Sequence, residues 1–99
     1  MEIKEIIQRI EYFRNKRNLS ARELSLSVGK NDSYITQLIK TEFNLSTKML
    51  MEIISALDVS EEEFFAKNYR TYYIDRELYD AIIKLPEDKK YSLSNFLKK

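Results

Sequence analysis

The fold of this chain is decided by the stretch Ser20-Ala-Arg-Glu-Leu-Ser-Leu-Ser-Val-Gly-Lys-Asn-Asp-Ser-Tyr-Ile-Thr-Gln-Leu38. It contains Gly29, the only glycine among 99 residues. Ser20 and Glu23 have the spacing of a capping box, which begins a helix. Apolar residues then recur at helical spacing on both sides of the glycine, at Leu24 and Val28 and at Ile35 and Leu38. Because a helix that ends in the left-handed conformation usually does so at glycine, we expect two short helices joined at Gly29.

Two short helices joined by a tight turn are what a DNA-binding helix-turn-helix requires. Apolar residues at helical spacing predict helices along the rest of the chain as well, so the predicted fold class is all-α. The other predicted segments are a helix over Ile3–Asn18, a loop over Thr41–Leu45 and a helix after Ser46. A capping box at Ser60 and Glu63 predicts a short helix that buries Phe64 and Phe65. A final pair of helices is predicted over 75–85 and 86–97. Pro86 separates the final pair, since proline restricts the residue before it.

The composition excludes several classes of protein. The chain has no cysteine and no histidine, which rules out disulfides, thiolate or imidazole metal sites and the common nucleophile–base pairs of hydrolases. We therefore expect no enzyme activity, no cofactor and no metal. With 43% hydrophobic and 33% charged residues, and no apolar run of membrane-spanning length, the chain is expected to be a cytoplasmic, nucleoid-associated protein without a membrane partner.

Five segments of the chain resemble the Cro/CI-type (XRE-like) helix-turn-helix family. They are Arg9–Arg14, Leu19–Leu24, Val28–Gly29, Ser33–Thr36 and Ala56–Phe65. The resemblance implies a five-helix, lambda-repressor-like DNA-binding domain over 1–66, with a supporting helix at Ala21–Val28 and a recognition helix from Asp32 to about Lys40. It also implies a transcription regulator, expected to be a repressor, that binds double-stranded operator DNA as a homodimer.

The residues expected to contact DNA follow from this register. Around the recognition helix they are Asn31, Asp32, Ser33, Tyr34, Thr36, Gln37 and Lys40, and the expected phosphate contacts are Ser20, Arg22, Lys30 and Lys48. Asn31 is the predicted N-cap, and Gln37 can bond adenine through two hydrogen bonds. Asp32 either stabilises the helix N-terminus or accepts a hydrogen bond from cytosine N4. Tyr34 either contacts a phosphate or packs against the neighbouring helix.

Charge is unevenly distributed along a chain whose net charge is only +1. Between Tyr12 and Lys48 there are seven cations and three acids, whereas Met49–Ala66 contains five acids and no cation. This segregation favours a basic DNA-facing surface over ordinary solvated charge. Three residues depart from the family pattern and predict weaker general affinity for DNA: Ala21 lacks a phosphate-binding amide, Ile39 leaves Arg14 without its usual glutamate, and Glu42 places an acid in a loop that is often basic.

The last third of the chain is expected to be a linker over 67–74 and a helical hairpin over 75–99. Its apolar residues form two stripes that so small a hairpin cannot bury internally. The expected dimer-interface residues are Leu78, Tyr79, Ile82, Ile83, Leu93, Phe96 and Leu97. Two alternatives stay open: the hairpin forms an intramolecular lid, or the protein is an interaction module, antitoxin-like or a regulatory adaptor, that binds a protein partner through these helices.

Overall fold

The computed structural model describes residues 1–98, which form seven α-helices and contain no strand. The helices are α1 (Ile3–Lys16), α2 (Ala21–Ser27), α3 (Tyr34–Thr41), α4 (Thr47–Ala56), α5 (Glu61–Phe65), α6 (Tyr72–Ile83) and α7 (Glu87–Leu97). The chain divides into two compact units, the first over Met1–Tyr69 and the second beginning at Arg70. The predicted all-α class, with five helices followed by two, is confirmed.

The first unit has one hydrophobic core to which all five of its helices contribute. Its buried side chains are Ile7, Ile10, Phe13, Leu24, Ile35, Leu38, Met49, Leu50, Ile53, Ile54, Leu57 and Phe64. The rings of Phe13 and Phe64 lie 5.9 Å apart, which joins α1 to α5. Phe65 is an exception to the prediction, because its side chain is 39% exposed. The buried residues of α5 are Glu63 and Phe64, and Phe65 follows them on the exposed side of this short helix.

Serine side chains begin three of these helices. The Ser20 hydroxyl accepts a hydrogen bond from the Glu23 N–H at 2.9 Å, and the Glu23 carboxylate accepts one from the Ser20 N–H at 3.0 Å, so the predicted capping box is present. These bonds lower the pKa of Glu23 below its ordinary value, and the bond from the Ser20 backbone N–H has the largest effect. Ser46 caps α4 in the same way, as predicted. At Ser60 the structure shows the half of the box in which the hydroxyl accepts from the Glu63 N–H.

Four helices of the first unit end at a residue in the left-handed conformation. Gly29 ends α2 with a φ of 75°, as its sequence context predicted. The other three helix ends use Asn18, Glu42 and Asp58, with φ values between 50° and 56°. The predicted loop over Thr41–Leu45 is therefore shorter, because Thr41 still belongs to α3 and Glu42 is its C-cap. The presence of a glycine therefore predicted only one of the four left-handed helix ends.

Arg9 holds the end of the first unit in place. Its Nη1 atom donates hydrogen bonds to the carbonyl oxygens of Phe64, at 2.7 Å, and Ala66, at 2.6 Å. Its guanidinium carbon lies 4.5 Å from the centroid of the Tyr69 ring, a cation–π contact. The Tyr69 ring also packs edge-on against Tyr12 at 5.3 Å. The first unit therefore extends beyond residue 66, where the sequence placed its end.

Regular structure begins at Tyr69, within the predicted linker over 67–74. Residues Tyr69–Thr71 form a 3-10 turn, and α6 begins at Tyr72 rather than at residue 75. The polar and aromatic composition of this segment suggested irregular structure, but the partly buried Tyr69 packs against the core of the first unit. The second helix of the hairpin begins after Pro86, which is its N-cap, close to the predicted boundary.

Candidate nucleic-acid interface

The geometry of α2 and α3 depends on a buried hydrogen bond from one helix to the other. Ser25 is fully buried, and its hydroxyl donates to the Ala21 carbonyl oxygen at 2.7 Å while accepting from the Ile35 N–H at 2.9 Å. The Ile35 N–H lies in the first turn of α3, where backbone donors have no partner within the helix. Ser25 therefore fixes the start of α3 against α2. The sequence analysis did not predict this role of Ser25. The signal that was available is a small polar residue next to Leu24 on the apolar face of α2.

The helix α3 begins two residues later than predicted. The Asn31 side-chain oxygen accepts hydrogen bonds from the Ser33 N–H at 3.1 Å and the Ser33 hydroxyl at 3.0 Å. This Asx turn replaces the capping role that was predicted for Asn31, because asparagine bonds its own neighbouring backbone readily. Ser33 occupies the N-cap position instead, and Tyr34 is the first helical residue. Asn31, Asp32 and Ser33 thus form the turn before the helix.

Helix α3 has a packing face and a polar face. Ile35 and Leu38 are fully buried in the core. Since successive residues of a helix turn by about 100°, Thr36, Gln37 and Lys40 lie on the opposite side. Gln37 and Lys40 are exposed, and Thr36 is half-buried. The structure therefore brings three of the predicted DNA-contacting side chains onto one surface, which begins at the exposed Ser33.

Tyr34 packs within the protein. Its ring lies 5.4 Å from that of Phe43, and the Lys30 ammonium is 5.5 Å from the Tyr34 ring centroid. Burial raises the pKa of the Tyr34 hydroxyl above its ordinary value. Of the two roles considered for Tyr34, the structure shows packing within the protein. The ring packs against the loop after α3, however, and not against a neighbouring helix. Lys30, a predicted phosphate contact, lies beside it.

Three arginines between Tyr12 and Lys48 form ion pairs with acids. Arg14 Nε lies 2.6 Å from the Glu11 carboxylate, and Arg14 Nη1 donates to the Leu19 carbonyl oxygen at 2.8 Å. Glu11 thus supplies the acceptor that the apolar Ile39 lacks, and it raises the pKa of Arg14. Arg17 pairs with Asp58 at 3.0 Å.

The third pair is at the helix-turn-helix itself, where Arg22 Nε lies 3.7 Å from the Asp32 carboxylate. Arg22 is the second residue of α2, and Asp32 belongs to the turn before α3. Both side chains are more than half exposed, at 71% and 63%. The other cations between Tyr12 and Lys48 are exposed lysines. These are Lys16, Lys30, Lys40 and Lys48.

Gly29 offers a direct test of the turn between α2 and α3. A β-carbon added at Gly29 would meet no atom within 4 Å, so only the backbone conformation restricts the residue there. We expect Gly29→Val to destabilise the protein by about 1–2 kcal/mol or more, because a β-branched residue is strained at positive φ. Gly29→Asn is the matched control, since asparagine tolerates this conformation, and it should cost clearly less. Urea unfolding of both variants measures the difference. Equal midpoints for the valine variant and the wild type would contradict a strained turn.

A compact unit in which α2, a tight turn and α3 present a polar surface defines a helix-turn-helix protein. Residues 10–64, more than half of the chain, match the Helix-turn-helix family HTH_3. The chain belongs to this Cro/CI-type, XRE-like family and is a DNA-binding helix-turn-helix regulator. No curated protein and no solved structure matches it. Within residues 1–98, no helix is long and apolar enough to span a bilayer.

Proposed function

We propose that the protein is a sequence-specific transcriptional repressor that binds its operator as a homodimer, with α3 in the major groove. The observation that carries this proposal is the polar face of α3, held by the buried Ser25 hydrogen bond to the Ile35 N–H. A helix in the major groove needs side chains that project from it without a role in the core. Thr36, Gln37 and Lys40 meet this requirement.

Each of these side chains has a different chemistry toward DNA. The Gln37 amide can donate to and accept from an adenine edge, so it distinguishes adenine from other bases. The Thr36 methyl group suits contact with the thymine methyl, and the Ser33 hydroxyl is less selective. Lys40, with Lys30 and Lys48, supplies charge for phosphates, which positions the helix but carries no sequence information.

Gln37→Ala and Lys40→Ala are expected to differ in kind. Loss of Gln37 should cost roughly 1–3 kcal/mol on the operator and relax preference at one base pair. Loss of Lys40 should weaken operator and random DNA alike and reduce the slope of log affinity against log salt by about one unit. Binding titrations over a range of salt, on a site selected from random DNA and on scrambled DNA, measure both effects.

Glu61→Ala serves as a control, because Glu61 is an exposed residue of α5 outside the helix-turn-helix. It should leave the preference for the selected site unchanged. Equal effects of the Gln37 and Lys40 variants on both DNAs would contradict the assignment of α3 as the reading helix. Retention on DNA that does not fall with salt would contradict DNA binding through phosphates altogether.

The proposal of a homodimer rests on the second unit. Neither α6 nor α7 contains a buried residue. The expected interface residues of α6 are exposed by 41% to 62%, and Phe96 and Leu97 by 72% and 70%, whereas Leu93 is half-buried. A groove of about 380 Å³ is lined by Ile82, Lys90, Leu93, Ser94, Leu97 and Lys98. Helices of 11 and 12 residues are only marginally stable without a packed face.

A second copy of the chain fits this surface by charge. Helix α6 carries three acids and one cation, and the segment from Lys84 to Lys98 carries four cations and two acids. In a two-fold arrangement, α6 of each copy can therefore face the segment from Lys84 to Lys98 of the other with opposite net charges, while the apolar stripes meet between them. A symmetric dimer predicts a near-palindromic operator, with half-sites about 34 Å apart.

The exposed stripes also favour a second candidate, in which the hairpin binds a different protein. An interaction module of this kind, antitoxin-like or a regulatory adaptor, would leave the purified chain monomeric. The homodimer proposal requires association of the pure protein with itself. Sedimentation of the full chain without DNA separates the two candidates.

A further inference from the structure

The ion pair between Arg22 and Asp32 joins the two parts of the helix-turn-helix that face DNA in the proposed mode of binding. Arg22 Nε and the Asp32 carboxylate are 3.7 Å apart. Arg22 follows the capped start of α2, and Asp32 precedes the N-cap of α3. A phosphate and Asp32 are both anionic partners for the same guanidinium. While Asp32 is paired with Arg22, its negative charge offsets part of the attraction between that guanidinium and a phosphate.

We propose that Asp32 is a specificity-determining residue that acts through Arg22. On DNA of random sequence, the Asp32 carboxylate holds Arg22 and reduces its contact with phosphate. On the operator, the exocyclic amino group of a cytosine takes the carboxylate, and Arg22 is released to a phosphate. This inference rests on the proposed function, and it adds a mechanism by which base reading and phosphate binding are coupled.

The strength of the pair suits such an exchange. Both side chains are well exposed, and exposed pairs of this kind contribute little net stability because solvent screens them. A base contact in the major groove is strong enough to replace the pair, since cytosine N4 is the donor that matches a carboxylate acceptor. Where no such donor is present, the carboxylate stays paired with Arg22 and weakens the contact of that guanidinium with a phosphate, which disfavours the complex. The same residue thus penalises wrong sites and supports the right one.

The test is a double-mutant cycle with Asp32→Asn, Arg22→Gln and the double variant, all in the full chain. The DNAs are a site selected from random sequence by the wild type and a scrambled duplex. Asp32→Asn should raise affinity for the scrambled duplex about two- to fivefold and steepen its salt slope by about one unit. It should also remove a preference for cytosine at one position of the selected site. In the Arg22→Gln background, the same change should have no effect on scrambled DNA.

Two controls exclude simpler explanations. Glu61→Gln changes the net charge by the same amount at an exposed site outside the helix-turn-helix, and it should leave the affinity for both DNAs unchanged. Asp32→Ala repeats the removal of the carboxylate with a different side chain and should reproduce the result of Asp32→Asn. A gain on scrambled DNA that is the same with and without Arg22 would overturn the inference, because Asp32 would then repel phosphate directly. Unchanged binding by Asp32→Asn would also overturn it. Failure of the wild type to bind any duplex in a salt-dependent way would instead refute the proposed function.

Discussion

Replacement of Ile82 by Asp is expected to lower operator affinity by about 100-fold or more and to make the protein monomeric. Ile82 lies on the apolar stripe of α6 and lines the groove of the hairpin. A carboxylate buried in a dry contact between two copies would be desolvated without a partner. Two linked reading helices gain roughly 10²- to 10⁴-fold in affinity over one, and this gain would be lost. Sedimentation and operator titration of the same preparation measure the two effects.

Ala81→Asp is the matched control for this prediction. Ala81 is the preceding residue of α6, is exposed and is not among the expected interface residues, and its side chain points about 100° away from that of Ile82. At this position, the same added charge should leave the sedimentation behaviour and the operator affinity close to those of the wild type. A wild-type chain that remains monomeric at tens of micromolar without DNA would refute the homodimer and favour the intramolecular lid or a protein partner.

Replacement of Arg9 by Met is expected to destabilise the first unit by about 3 kcal/mol. Hydrogen bonds from a charged donor contribute about 1.5–3 kcal/mol each, and loss of Arg9 leaves the Phe64 and Ala66 carbonyl oxygens without this donor. Methionine preserves most of the apolar packing of the stem but not the contact with Tyr69. In a unit of this size the melting temperature should fall by about 12–24 °C. Thermal unfolding followed by circular dichroism measures it.

Arg17→Met is the control, because Arg17 makes a similar but more exposed connection. Its Nη1 donates to the Leu57 carbonyl oxygen at 3.0 Å, and its side chain is 43% exposed. We expect a loss of about 1 kcal/mol or less. Equal losses for the two variants would show that Arg9 is no more important than a surface arginine. A fragment meant to isolate the first unit has to include Tyr69 for the same reason.

The features that sequence predicted well depend on residues close together in the chain. The capping box at Ser20 and the left-handed turn at Gly29 each follow from a few neighbouring residues, and both are present. Asn31 shows the limit of such reasoning, since the Asx turn and the helix cap are competing local uses of one side chain. In the structure, Asn31 forms the Asx turn and Ser33 is the N-cap.

The features that sequence missed connect distant residues. Ser25 bonds Ile35 ten positions away, and Arg9 bonds Phe64 across 55 positions. No spacing rule relates such pairs, because their proximity results from the fold of the whole unit. The partner of Arg14 was missed for a different reason: Glu11, three residues earlier, replaces an acceptor that the family usually takes from α3.

The separation of the two faces of α3 has an evolutionary consequence. Ile35 and Leu38 hold the helix in the core, whereas Gln37 and Lys40 are exposed and contribute little to that packing. Mutations on the polar face therefore carry a small stability cost, since exposed substitutions usually change stability by less than about 0.5 kcal/mol. With α3 as the proposed reading helix, duplicated copies of such a gene can acquire new DNA sites by a few substitutions while the scaffold persists. The same scaffold can thereby give rise to regulators that do not bind one another's DNA sites.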